Sequence, residues 1–225
     1  NDMSSTRSRP PQPAPASSAK PPAANPTDDP NDMIDQAIKL VIDVIFSLFT
    51  YGLLMRFAMQ ALRAPFRNPL GQAVIALTDW IVKPLRRVIP GFGGYDWATL
   101  LAAWLLRAAW ILSLYVLFGS GFAGLTLAAA GYIALAAVIE LVKAALWLLI
   151  IVVFAQALLS WIAPEGPLAG LLNALTFPFL RPIRRILPPI GGTLDLSPLV
   201  VIVLAQILLI AAIPWLEQSA FSLLR

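Results

Sequence analysis

This chain predicts an all-α integral membrane fold, with four transmembrane helices arranged as two tandem repeats, each carrying an interfacial amphipathic helix. Three observations predict it. The 225 residues are 59% hydrophobic and only 12% charged, with a mean hydropathy of +0.78. A soluble domain carries about a quarter charged residues. Long apolar runs recur at lengths that cross a hydrocarbon core of about 30 Å. Two segments also nearly duplicate one another. Pro69–Gly94 (PLGQAVIALTDWIVKPLRRVIPGFGG) and Pro167–Gly192 (PLAGLLNALTFPFLRPIRRILPPIGG) share 11 of 26 residues at an offset of 98.

The elements follow in order. Residues 1–33 form a Pro/Ala/Ser-rich tail, with eight prolines before Ile34 and no aromatic residue. It has too little apolar surface to offset its ordering entropy and is expected to be disordered. The first repeat covers 34–118. Its opening span, Ala37–Leu62, is broken only by Lys39, Asp43, Arg56 and Gln60, and its second, Trp97–Phe118, only by Arg107. Residues 119–138 read as a connection, with Phe122–Ala137 a short apolar helix that lies shallow or re-enters. The division falls near Val138–Lys143, because one helix from Phe122 to Ala163 would be twice what a bilayer needs. The second repeat covers 139–216, its last span being Leu199–Leu216, and 217–225 is a short C-terminal tail.

Each duplicated segment reads as a surface helix. Leu70, Val74, Leu77, Ile81, Leu85 and Val88 recur at helical spacing, as do Leu168, Leu171, Leu175, Phe179 and Ile183 in the second copy. An apolar stripe with a basic end suits the membrane interface. Pro84 and Pro182 are expected to kink or end these helices. Gly93-Gly94 and Gly191-Gly192 then turn the chain, and Asp96 and Asp195 are placed to cap the next span. The pairs Arg86-Arg87 and Arg184-Arg185 read as contacts to lipid headgroups or to an anionic partner. With four spans both basic loops fall on one side. The positive residues make that side cytoplasmic, so the termini face outward.

Four polar residues lie inside spans: Asp43, Arg107, Gln156 and Gln206. A mid-span arginine costs roughly 2.5–3.5 kcal/mol on insertion scales. The four are therefore expected to seek one another as an intramembrane cluster. Glu140 and Lys143, at i and i+3, pair at the outer boundary.

The absence of Cys and His removes thiol chemistry, the commonest metal ligand and the usual general base near neutral pH. No enzyme activity, cofactor or metal is expected. Nucleic acid is not an expected partner either, since there is no basic surface beyond the arginine pairs and no recognisable binding fold. The partners expected are the bilayer and another membrane protein.

The pattern NPL…LT…PLRRVIP…GG, and above all LLSW followed by LRPIRRILPPIGGTLDLSP, resembles the YggT (YlmG-like) family of bacterial membrane proteins. The resemblance spans Ile34–Leu216. It maps onto Asn68-Pro69, Pro84, Arg86-Arg87, Pro90 and Gly94, and onto Ser160-Trp161, Pro182, Arg184-Arg185, Pro188, Gly191-Gly192, Asp195, Ser197 and Pro198. It implies a multi-pass inner-membrane protein without known enzymatic activity. Relatives are linked to osmotic-stress tolerance and potassium homeostasis, and in plastids to cytochrome assembly. The favoured expectation is a scaffold or assembly subunit of a membrane complex; the alternative is an ion-homeostasis channel or transporter component.

Overall fold

A computed structural model describes residues 30–119, 121, 123, 125–163, 165–166, 168–188 and 195–223. It divides into a unit ending at Ile38 and a second from Lys39 onward. The described part of the first unit is the beginning of helix α1, Pro30–Ala61, so helix replaces tail from Pro30 on; residues 1–29 lie outside the described residues. In the second unit α2 (Pro69–Val88), α3 (Trp97–Phe118), α4 (Leu127–Ile162) and α5 (Ala169–Ile186) follow. The last span is α6 (Ser197–Ile207), a π-helical turn Leu208–Ala212, and α7 (Ile213–Leu223). Four helical stretches are long and apolar enough to cross a membrane: Asn31–Ala61, Trp97–Phe118, Leu127–Ile162 and Ser197–Ala220. Among the described residues the order span, surface helix, span occurs twice.

The connecting helix expected over Phe122–Ala137 does not form as a separate element. α4 is one helix of 36 residues, about 54 Å long at 1.5 Å per residue. VIELVK contains no residue that breaks a helix, and its charges need no helix end to be satisfied. Lys143 Nζ reaches Glu140 Oε1 at 2.7 Å and Glu217 Oε1 at 3.2 Å. The expected C-terminal tail is likewise helical through Leu223, and Lys143 ties it to α4. Pro214 explains the π-helical turn. It lacks an N–H and its ring pushes against the carbonyl four residues back, which the wider turn relieves.

Pro84 and Pro182 do not end their helices: α2 runs to Val88, and α5 to Ile186 through Pro178 as well. All three prolines are on the exposed side, and two of the carbonyls they leave unbonded, those of Trp80 and Pro178, belong to exposed residues. Headgroup water can solvate those groups, so the penalty of an interior proline is reduced.

α4 is the hub, packing against α3, α5, α6 and α7, while α2 lies on α3 and α5 on α6. The two copies build matching cores. Leu53, Val82, Ala102 and Ala103 pack in the first, and Val153, Leu180 and Val201 in the second. Val82 and Leu180 stand 98 apart, Ala102 and Val201 99 apart. Met59, Val152, Leu171 and Leu175 join the halves. Thr78 and Thr176, the paired threonines of the repeat, are both fully buried. They return their hydroxyls to the carbonyls of Val74 and Leu172.

Candidate functional site

The arginine pairs have divided roles, which sequence reasoning did not separate. Asp96 caps α3, accepting from Thr99 N at 3.3 Å. Its 5%-exposed side chain also takes Nε and Nη2 of Arg86. In the second copy Arg184 Nε and Nη2 meet Asp195 Oδ2 at 2.8 and 2.7 Å. Each arginine therefore clamps the basic end of a surface helix to the start of the next span. Arg86 and Arg184, expected as contacts to lipid headgroups or to an anionic partner, thus each hold an aspartate of their own chain, with side chains still 46% and 32% exposed. Arg87 and Arg185 are exposed and have no hydrogen bond or acidic partner among the described residues.

The caps differ between copies. Leu196, not Asp195, stands at the N-cap of α6, and Asp195 accepts from Ser197 N at 2.9 Å. Burial pushes the Asp96 carboxyl up, but the hydrogen bonds from Arg86 and Thr99 outweigh it and hold it below its ordinary value. At Asp195 burial is likewise outweighed, by Ser197 and Arg184. The first glycine turn has the left-handed backbone it needs, with φ of 67° at Gly93 and 81° at Gly94. Gly191 and Gly192 lie outside the described residues.

The first copy carries two further ties. Arg56, 6% exposed, donates to Thr78 Oγ1 and Asp79 Oδ1, both at 2.8 Å. Lys83 meets Asp79 from the next turn at 2.7 Å. Hydrogen bonds from Lys83 and Arg56 hold the Asp79 carboxyl below its usual range. The signal in the sequence was a lone acid in a basic helix, together with an arginine one turn above the end of α1. Gln60 donates to the Gly94 carbonyl at 2.7 Å and accepts from Asp96 N at 3.0 Å. No sequence pattern announced that latch. The second copy has Phe177 opposite Asp79, and Arg181 lies over its ring at 5.6 Å instead.

The four intramembrane polar residues do not assemble into one cluster. Arg107 is 5% exposed, with Nη2 3.5 Å from Ser47 Oγ, and Ser47 in turn reaches Asp43 at 3.4 Å. Its guanidinium lies over Trp110, and its Nε has no hydrogen-bond partner. A side chain this long can reach across to α1, away from the repeat-loop end of α3. Gln156 sits near the opposite end of α4, beside Ser160, Arg184 and Asp195. Gln206 is half-buried and makes no hydrogen bond among the described residues.

Among the described residues no group of three or more acidic residues could hold a metal ion. Four apolar spans in two copies, each with a surface helix clamped to the following span, define a small multi-pass membrane protein built on a tandem repeat. The chain belongs to the CCB3/YggT family, whose model matches residues 36–117 and again 135–216. An uncharacterized protein of Pseudomonas aeruginosa is 36% identical over 168 residues, covering 74% of this chain and 83% of that one. One from Vibrio alginolyticus is 37% identical over 168 residues, 74% and 88% of the two chains. The uncharacterized protein YggT of Escherichia coli K12 is 34% identical over 172 residues, 76% and 86%. No solved structure matches the chain.

Proposed function

We propose that this protein is a non-enzymatic scaffold or assembly subunit of a membrane complex in the bacterial inner membrane. In this reading its repeat loops and two surface helices face the cytoplasm. One observation carries the reading over a conducting role. Two polar networks of the first repeat, Asp43, Ser47 and Arg107 and, apart from it, Arg56, Thr78 and Asp79, share no hydrogen bond among the described residues. Leu53, Val82, Ala102 and Ala103 form an apolar layer in the same repeat, none more than 3% exposed. An ion path needs continuous polar lining, and a lone buried arginine repels cations. The ionic groups act instead as internal clamps that present α2 and α5 in fixed positions.

Arg87 and Arg185 are then the groups left to meet anionic lipid or an acidic partner surface. Potassium handling, the alternative reading, would need that apolar layer to open. The scaffold reading is tested by recovering the tagged full chain from membranes in a mild detergent. A stoichiometric membrane-protein partner is expected, lost when Arg87 and Arg185 are both replaced by glutamate. A chain recovered only with itself, with or without those arginines, contradicts the proposal.

A further inference from the structure

We propose that the second repeat holds a phospholipid whose headgroup carries a hydrogen-bond donor, seated at Gln156 between α4, α5 and α6. A buried amide oxygen without a partner, set beside open space, carries this. In the first copy Met59 is fully buried and fills the space beneath Gly71, its terminal methyl 3.1 Å from where a Cβ there would stand. At Ala169, the counterpart of Gly71, Gln156 and Ser160 border a cavity instead.

Two cavities border Gln156. A cavity of about 280 Å³ lies between Gln156, Ser160 and Asn173, and one of about 440 Å³ between Gln156, Ser160, Arg184 and Asp195. The Oε1 of Gln156 is buried and receives no hydrogen bond. Buried carbonyl oxygens are rarely left this way, so the missing element is a donor from outside the chain. Arg184 directs Nε and Nη2 at Asp195, and its Nη1 has no partner among the described residues, leaving it for a phosphate oxygen.

The depth and the walls identify the ligand as amphipathic. Gln156 is about 9 Å above the end of α4, at the level where glycerol and headgroup meet the chains. The larger cavity is also walled by Phe154 and Leu199, which are 55% and 59% exposed on the lipid side, so they can take an acyl chain. An ethanolamine N–H or a glycerol O–H satisfies Gln156; choline has neither.

The test uses the full chain in nanodiscs containing equal parts of phosphatidylethanolamine, phosphatidylglycerol and phosphatidylcholine, read by native mass spectrometry after release. One retained phospholipid per chain is expected, with ethanolamine or glycerol heads favoured over choline by about tenfold, the factor one hydrogen bond to a buried acceptor contributes. Gln156→Met, which removes the acceptor at similar volume, should abolish that preference, and Ala157→Gln should do so from the other wall. The second variant decides the matter if the first does not fold. Equal retention of choline lipid, or unchanged lipid in both variants, overturns the proposal. The outcome is independent of whether the protein is a scaffold.

Discussion

Arg86→Ala is expected to destabilise the folded chain by about 2–3 kcal/mol, because it leaves the buried Asp96 carboxylate without its main ionic partner. Arg184→Ala should cost less, since Asp195 is 27% exposed against 5% for Asp96. Arg87→Ala and Arg185→Ala, which break no contact among the described residues, should each stay within about 0.5 kcal/mol. Arg86→Lys should recover only part of the loss, because its ammonium lacks the planar fork that brings Nε and Nη2 together onto Asp96. Reversible unfolding in mixed detergent micelles reads all five variants.

The acid limb gives a second signature of the same clamp. The carboxyls of Asp79, Asp96 and Asp195 are all lowered from 3.8. Their stabilisation is therefore complete above that value and is lost as pH falls through the depressed folded values. The unfolding midpoint should be flat from about pH 8 to about pH 5 and decline only below about pH 4. In Arg86→Ala the Asp96 carboxyl loses its main lowering partner, so its share of the acid loss shrinks and the decline, left to Asp79 and Asp195, should be shallower than in the wild type.

Gly71→Ala is the second large effect. A Cβ at Gly71 would lie 2.6 Å from the Phe66 carbonyl oxygen and 3.0 Å from its Cα. Both are backbone atoms, so the entry to α2 must shift, and that entry is held by Asn68, which caps Gly71 N at 2.8 Å and donates to the Pro65 carbonyl at 2.6 Å. A loss of about 2–3 kcal/mol is expected, the scale of overpacking in a tight core. Gly170→Ala is the control. Nothing lies within 4 Å of its Cβ, so helix propensity should make it neutral or stabilising by up to about 1 kcal/mol.

The four spans, both surface helices and the repeat order could be read from the chain because they depend on apolar length and on helical spacing. Arg107 was legible as a buried cost for the same reason. What could not be read were matters of partner choice. The run Phe122–Ala163 was divided on length alone, whereas Lys143 finds Glu217, 74 residues away, and a continuous helix results. Arg86 and Asp96 were both singled out, but nothing in a linear pattern says that they meet. Gln156 was assigned to the membrane centre by counting polar residues. Its true neighbours, Ser160, Asn173, Arg184 and Asp195, are set by the packing of α4 on α5 and α6.

The central claim is that the ionic groups clamp helices within each repeat and do not form a path for ions. Potassium efflux from liposomes reconstituted with the purified full chain measures this directly, driven by an outward potassium gradient with a protonophore supplying charge balance and protein density varied. The rate should equal that of protein-free liposomes at every density, and should remain there in Arg107→Leu, because the apolar layer of Leu53, Val82, Ala102 and Ala103 is intact. Efflux that rises in proportion to the amount of wild-type protein would contradict the account.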